Sequence, residues 1–169
     1  MVLTIDIGNT TIGIGGFQGN KLLFIEKISS RRPLSDAGYI EKLNMILNKH
    51  GLSAEAFEGS MISSVVPSVT AVFSSALETF LGRKPLILSH KLDLGYEICT
   101  EFPEKVGCDR LADIAGAISR YSLPCVTIDL GTATTFNVLD ENRRFLGGLI
   151  LPGVGTAHRA LLGKTAQLP

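Results

Sequence analysis

Two short stretches of this chain, Leu3-Thr4-Ile5-Asp6-Ile7-Gly8-Asn9-Thr10-Thr11 and Val126-Thr127-Ile128-Asp129-Leu130-Gly131-Thr132-Ala133-Thr134, read almost alike. Each runs from a β-branched strand into Asp-x-Gly, passes through a small hydroxyl-rich turn and returns to strand. The turn gathers a carboxylate, a glycine and bare backbone N–H groups at a strand end, which is a means of holding a phosphate and its metal ion. A single Gly-Asn turn between β-branched runs is also an ordinary hairpin. Two such turns in register imply a duplicated α/β fold with a phosphate-binding cleft between its halves.

The repeat extends past the turns. Strands are expected over residues 2–8, 11–17 and 21–29, with Gly19-Asn20 joining the second to the third, and again over 125–130, 134–140 and 145–151, with Glu141-Asn142 at the matching turn. Helical spacing follows the first triplet. Tyr39, Ile40, Leu43, Ile46 and Leu47 lie behind a Ser35-Asp36 start and ahead of Gly51. Val69, Val72, Phe73, Ala76, Leu77, Phe80 and Leu81 lie between Pro67 and Gly82. Residues 61–66 and 85–88 read as buried strands, and residues 111–121 as a helix with Leu111, Ile114, Ala115 and Ile118 on one face. The first domain is thus expected over residues 1–122, about 120 residues and a usual size. A second begins at 123 and runs to 169, with one short helix near Gly155–Leu162. A full second copy needs about 75 further residues. Gln167-Leu168-Pro169 is no natural end for a packed α/β unit, so a fragment is expected.

Charge is balanced, with 16 basic and 16 acidic residues, which leaves no broad basic surface for nucleic acid. Arg31-Arg32 and Arg143-Arg144 are short pairs expected on solvated surface. Strand residues begin at Val2, leaving no room for a signal peptide, and no apolar run reaches membrane-spanning length, so a cytoplasmic protein is expected. Cys99, Cys108 and Cys125 lack C-x-x-C spacing and read as reduced thiols. His50, His90 and His158 are scattered. Gly163-Lys164-Thr165 resembles the end of a P-loop and Gly153-Val154-Gly155 a dinucleotide fingerprint, but each needs a glycine where His158 stands. Residues 152–155 read better as a strand-to-helix turn.

The stretch Phe102 to Asp113 contains Gly107-Cys108-Asp109-Arg110 at the expected first turn of a helix. Helix N-terminal N–H groups and Arg110 could hold an anionic or carbonyl-bearing substrate, and would keep Asp109 ionised, ready to deprotonate a hydroxyl. The structural alternative is that Asp109 caps the helix and Arg110 makes a surface ion pair.

Asp6-Ile7-Gly8-Asn9-Thr10, Gly107-Cys108-Asp109-Arg110, Asp129-Leu130-Gly131-Thr132-Ala133-Thr134-Thr135 and Gly148-Leu149-Ile150-Leu151-Pro152-Gly153, in that order, resemble type III pantothenate kinase over essentially the whole chain. That family belongs to the acetate and sugar kinase, Hsp70 and actin superfamily, with two ribonuclease H-like domains around an ATP cleft. The resemblance implies ATP-dependent phosphorylation of pantothenate to 4'-phosphopantothenate, the first step of coenzyme A biosynthesis. It implies that Asp6, Ile7, Gly8, Asn9, Thr10, Thr11, Ile12 and Gly13 form the first phosphate loop, with Asp6 near Mg2+. It places Thr132 against ATP, Asp129 on a monovalent cation (K+ or NH4+), and Tyr96, Gly107, Cys108, Asp109 and Arg110 against pantothenate, with Asp109 the base. Cys108 stands where many relatives carry Ala and is given no catalytic role. Family members are homodimers. The residues that the family carries beyond these motifs include adenine-side contacts, so this chain alone is expected to be weak or inactive. A non-catalytic kinase-like regulator is the alternative expectation.

Overall fold

The computed structural model describes residues 1–164; Thr165 and the Gln167-Leu168-Pro169 terminus lie outside the described residues. The chain forms two compact units, the first Met1–Ser89 and the second beginning at His90.

In the first unit, β1 (Val2–Ile7), β2 (Thr11–Gln18) and β3 (Lys21–Ser29) form an antiparallel meander, and β4 (Gly59–Ser64) and β5 (Leu86–Ile87) add parallel to the other edge of β1, giving the order β3-β2-β1-β4-β5. Alternation puts Leu3, Ile5 and Ile7 of β1 and Ile12 and Ile14 of β2 into one core. Two helices supply the other wall: α1 (Asp36–Lys49) through Tyr39, Leu43 and Leu47, and α2 (Pro67–Leu81) through Val69, Phe73 and Leu77. Ser35 caps α1 by accepting the Gly38 N–H at 3.3 Å, and Pro67 opens α2 where a missing N–H costs nothing. β4 ends two residues before the predicted limit, because the Val65 N–H turns to the Ile7 carbonyl and the Val66 N–H to the Ser64 hydroxyl.

In the second unit, β7 (Cys125–Leu130), β8 (Ala133–Leu139) and β9 (Arg144–Pro152) repeat the antiparallel meander. A two-residue strand that the sequence reading lacks, β6 (Glu97–Ile98), pairs parallel with β9, so the order is β6-β9-β8-β7. Helix α3 (Cys108–Arg120) packs Ile114 and Ala117 on Leu139 and Phe145. Its apolar face is therefore spent on the second sheet. The compact units consequently divide at Ser89/His90, upstream of residue 123 where the repeated strand triplet begins. The turn Pro152-Gly153 leads into α4 (Val154–Lys164), as residues 152–155 predict.

Candidate functional site

The first Asp-x-Gly loop is closed by the Gly8 N–H donating to the Thr11 carbonyl at 2.9 Å. Ile7 and Ile12 pair across it and are buried, anchoring a turn whose Asn9 and Thr11 face solvent. The Thr10 carbonyl accepts the Ser30 N–H at 3.1 Å, tying the turn to the end of β3. Asp6 is exposed, and its cross-strand neighbour is Gly13; a Cβ there would stand 3.8 Å from that of Asp6. Bare backbone thus lies on the β2 side of the carboxylate, with Ser63 of β4 on the other, and the open side suits the close approach of a large anion.

The second loop is tighter. Leu130 pairs with Thr134, whereas Ile7 pairs with Ile12, and the Gly131 N–H donates to the Ala133 carbonyl at 2.9 Å. Asp129 therefore faces Thr135 across the pair rather than a glycine. Thr135 is buried, and its hydroxyl has no hydrogen-bond partner among the described residues. The start of α4 clamps the loop: the Thr132 carbonyl accepts from the Gly153 N–H at 3.0 Å and the Thr156 hydroxyl at 2.8 Å. Only glycine fits at 153, since a Cβ would lie 2.0 Å from the Gly131 carbonyl oxygen.

Gly107 precedes α3, and Asp109 sits in its first turn with Oδ1 accepting the Arg110 N–H at 2.7 Å. Among the described residues, the Arg110 side chain makes no surface ion pair. Its Nε donates to Asn137 Oδ1 at 2.7 Å, its Nη2 to the Phe136 carbonyl at 3.1 Å, and its guanidinium lies 5.2 Å from the Phe145 ring centre. Burial draws the Arg110 pKa below its ordinary value, and the carboxylates of Asp109 and Asp113 oppose that. Asn137 is completely buried, and its Nδ2 donates to Thr127 Oγ1 at 2.9 Å. Gly148 leaves room for this bridge, because a Cβ there would fall 2.8 Å from Arg110 Nη2 and 1.7 Å from the Phe136 oxygen. Tyr96 donates its hydroxyl to the Leu111 carbonyl at 2.9 Å, and burial pushes its pKa up.

The second unit therefore joins Asp109, Arg110 and Tyr96 on or against α3, with Arg110 bridged through Asn137 to Thr127 on β7, the strand that carries Asp129. Thr132 lies in the loop that follows. The first unit carries Asp6 to Gly13. Sequence reading missed Thr127, Asn137 and Gly148 in its role beside Arg110. An asparagine flanked by Phe136 and Val138 in a strand, where Asn is depleted, was the available signal.

The sequence profile of the type III pantothenate kinase family matches residues 2–169. The chain belongs to that family. A type III pantothenate kinase of Bifidobacterium animalis subsp. lactis is 40% identical over 169 residues, all of this chain and 67% of the relative. One from Thermomicrobium roseum is 36% identical over 168 residues, 99% of this chain and 65% of the relative. The chain thus spans about two thirds of the length of these relatives. A reductive activator for a corrinoid, iron-sulfur protein shares the fold at a TM-score of 0.50 and 13% identity, over 82% of this chain and 29% of that one. The architecture is that of the family: α/β, with duplicated ribonuclease H-like, actin-like ATPase units of mixed sheet and flanking helices. Among the described residues, no helix is long and apolar enough to cross a membrane.

Proposed function

We propose that the protein of which this chain forms the described part phosphorylates pantothenate at its primary hydroxyl with ATP, giving 4'-phosphopantothenate for coenzyme A synthesis. The observation that carries this is Asp109 in the first turn of α3, with its neighbour Arg110 locked to the sheet, in a chain that matches the family profile over residues 2–169. Asp109 accepts the proton of the attacking hydroxyl, whose oxygen bonds to the γ-phosphorus as ADP leaves. Asp6, Ile7, Gly8, Asn9, Thr10, Thr11, Ile12 and Gly13 form one phosphate loop, and Thr132 contacts ATP from the other. Gly107, Cys108, Arg110 and Tyr96 line the pantothenate side. The Tyr96 hydroxyl is already donated to Leu111, so its contribution is the ring.

The residues fit hard cations. Asp6, an exposed carboxylate facing Gly13, would hold Mg2+, which would neutralise phosphate charge there. Asp129 faces Thr135, whose buried hydroxyl has no hydrogen-bond partner among the described residues, and the two would offer oxygens of the kind that K+ or NH4+ binds. These ions supply neutralisation of phosphate charge. A homodimer in the cytoplasm accords with the family resemblance. Intact Asp6, Asp109 and Asp129 favour the kinase over a non-catalytic regulator.

The test is ATP-dependent formation of phosphopantothenate with Mg2+ and K+, using the 169-residue chain, a form carrying the length of the relatives, and Asp109→Asn in the active form. Product that falls by roughly 100-fold or more in the variant is expected, the usual contribution of a general base. No product from either parent overturns the reading.

A further inference from the structure

The two copies of the strand triplet differ at two cross-strand pairs that share one face of the sheet. In the first copy, Thr4 on β1 faces Gly15 on β2 and donates its hydroxyl to the Gly15 carbonyl at 3.2 Å. In the second copy, Thr127 on β7 faces Asn137 on β8, and its hydroxyl accepts from the Asn137 amide. Two pairs further along, on the same face, Gly13 faces Asp6 and Thr135 faces Asp129. In the first sheet the β2 partner is glycine at both places.

The second copy buries an asparagine there at a cost, since a buried amide destabilises unless both of its ends are bonded. Both ends are bonded, one to Arg110 Nε and the other to Thr127 Oγ1. The bond from Arg110 is short and charge-assisted, the strong kind. Its donor follows Asp109 in the chain, and the Arg110 N–H itself donates to the Asp109 carboxylate. A part-buried bridge, centred on the fully buried Asn137, therefore runs from the first turn of α3 to the strand that carries Asp129. With the Phe136 carbonyl on Nη2, Asn137 fixes the guanidinium in two directions.

We infer that Asn137 is a positioning residue for the phosphoryl transfer. It acts through Arg110 to hold the first turn of α3, and so Asp109, in fixed register with the Asp129 strand. This inference rests on the kinase reading above. Asn137→Leu keeps similar bulk and removes both bonds. Asn137→Asp keeps the acceptor for Arg110.

The test is run on the form of the protein that turns over pantothenate. Asn137→Leu is expected to lower kcat by roughly 10- to 100-fold, the effect of losing one bond to a charged group, with the KM for ATP unchanged. Asn137→Asp is expected to restore most of it. In an Arg110→Ala background, Asn137→Leu is expected to add less than about threefold, because the two residues act as one unit. Full additivity of the two losses, or no rescue by Asp, overturns the inference.

Amide exchange gives a readout that does not depend on turnover. Asn137→Leu is expected to speed exchange at Leu111, whose N–H donates to Gly107 in the first turn, by about tenfold or more, with Ile5 and Ile14 unchanged. Exchange that rises equally across the unit, or not at all, identifies a merely structural role and overturns the inference. If the parent protein makes no phosphopantothenate, the kinase reading fails, and a localised change at Leu111 still upholds the positioning contact.

Discussion

Leu3, Ile5 and Ile7 on β1 are 0%, 2% and 0% exposed, whereas Val126, Ile128 and Leu130, at the same places on β7, are 55%, 56% and 74% exposed. The strands are near copies, yet one forms a core and the other an open apolar face. What differs is the cover. In the first unit α1 and α2 lie on that face, and β4 pairs with the free edge of β1. In the second unit α3 takes the opposite face, where Leu139 and Phe145 receive it. Val126, Ile128, Val138, Leu149 and Leu151 remain exposed, and β7 is the last strand of its sheet among the described residues. A strand sequence therefore specifies its faces, and only later elements decide which face becomes a core. The relatives of this chain are longer by enough for such elements.

The largest expected effect tests this contrast directly. In the 169-residue chain, Ile5→Ala should cost about 2–5 kcal/mol, because it opens a cavity between sheet and helices. Ile128→Ala should stay within about 0.5 kcal/mol, since most of the side chain is already in water. In a form carrying the length of the relatives, the cost at Ile128 is expected to climb toward that at Ile5. Urea unfolding of both variants in both forms measures this. Equal costs in the short chain would mean that the β7 face is already covered, by self-association or otherwise, and the contrast would collapse.

The parts of the fold that follow local rules were legible beforehand. Alternation marked both triplets, and Ser35, Pro67 and Gly82 marked helix ends, because capping and periodicity depend on neighbours in sequence. The partner of α3 was not legible. The stripe read from the sequence, Leu111, Ile114, Ala115 and Ile118, says that a face is buried but not against which sheet; the structure buries Ala117 and exposes Ala115, so even the edge of that face was set by the sheet it met. Strand β8 even inverts the usual reading, burying Thr135, Asn137 and Leu139 while Val138 is exposed. The two Asp-x-Gly turns and the place of Asp109-Arg110 in the first turn of a helix were legible as local structure. The destination of Arg110 was not, because its partner Asn137 lies on a distant strand and nothing local to either residue names the other.

A second, smaller effect separates the two loops. Gly13→Thr gives the first loop the residue that faces Asp129 in the second. A Cβ at Gly13 meets nothing closer than 3.8 Å, so the fold should hold, with less than about 1 kcal/mol lost. Phosphate approach beside Asp6 should suffer, and kcat/KM for ATP should fall by about tenfold or more. A kinetic comparison alongside thermal unfolding reads both. Unchanged ATP kinetics would show that bare backbone at this place is not what the first loop needs.

The turns that close the triplets differ as well. Gly19 turns the first with φ of +56°, and Arg143 turns the second with φ of +60°. That region is strained for any residue with a side chain. Gly19→Ala should therefore destabilise the first unit by about 1 kcal/mol, while Arg143→Gly should relieve the second by up to about 1 kcal/mol. Denaturant midpoints with unchanged slopes would register both. Opposite signs sharpen the comparison; the same sign in both would show that the two turns are not equivalent after all.

The smallest effect concerns what holds the second turn in place of glycine. The Asp140 carboxylate accepts the Asn142 and Arg144 N–H groups at 2.9 Å each and Arg144 Nε at 2.6 Å. Its burial pushes the pKa up, but the backbone and side-chain bonds from Arg144 and the Asn142 N–H outweigh that and leave it below the ordinary 3.8. A carboxylate depressed on folding contributes stability above its unfolded pKa, and that stability disappears as pH falls through the folded value. The second turn should accordingly loosen below about pH 3.8, with the Asn142 and Arg144 amides exchanging faster relative to Lys21 at the first turn. Asp140→Asn should remove the acid dependence while keeping an acceptor. Parallel loss of protection at both turns on acidification would instead mean that acid acts on the fold as a whole, and that the glycine turn and the carboxylate turn are energetically alike.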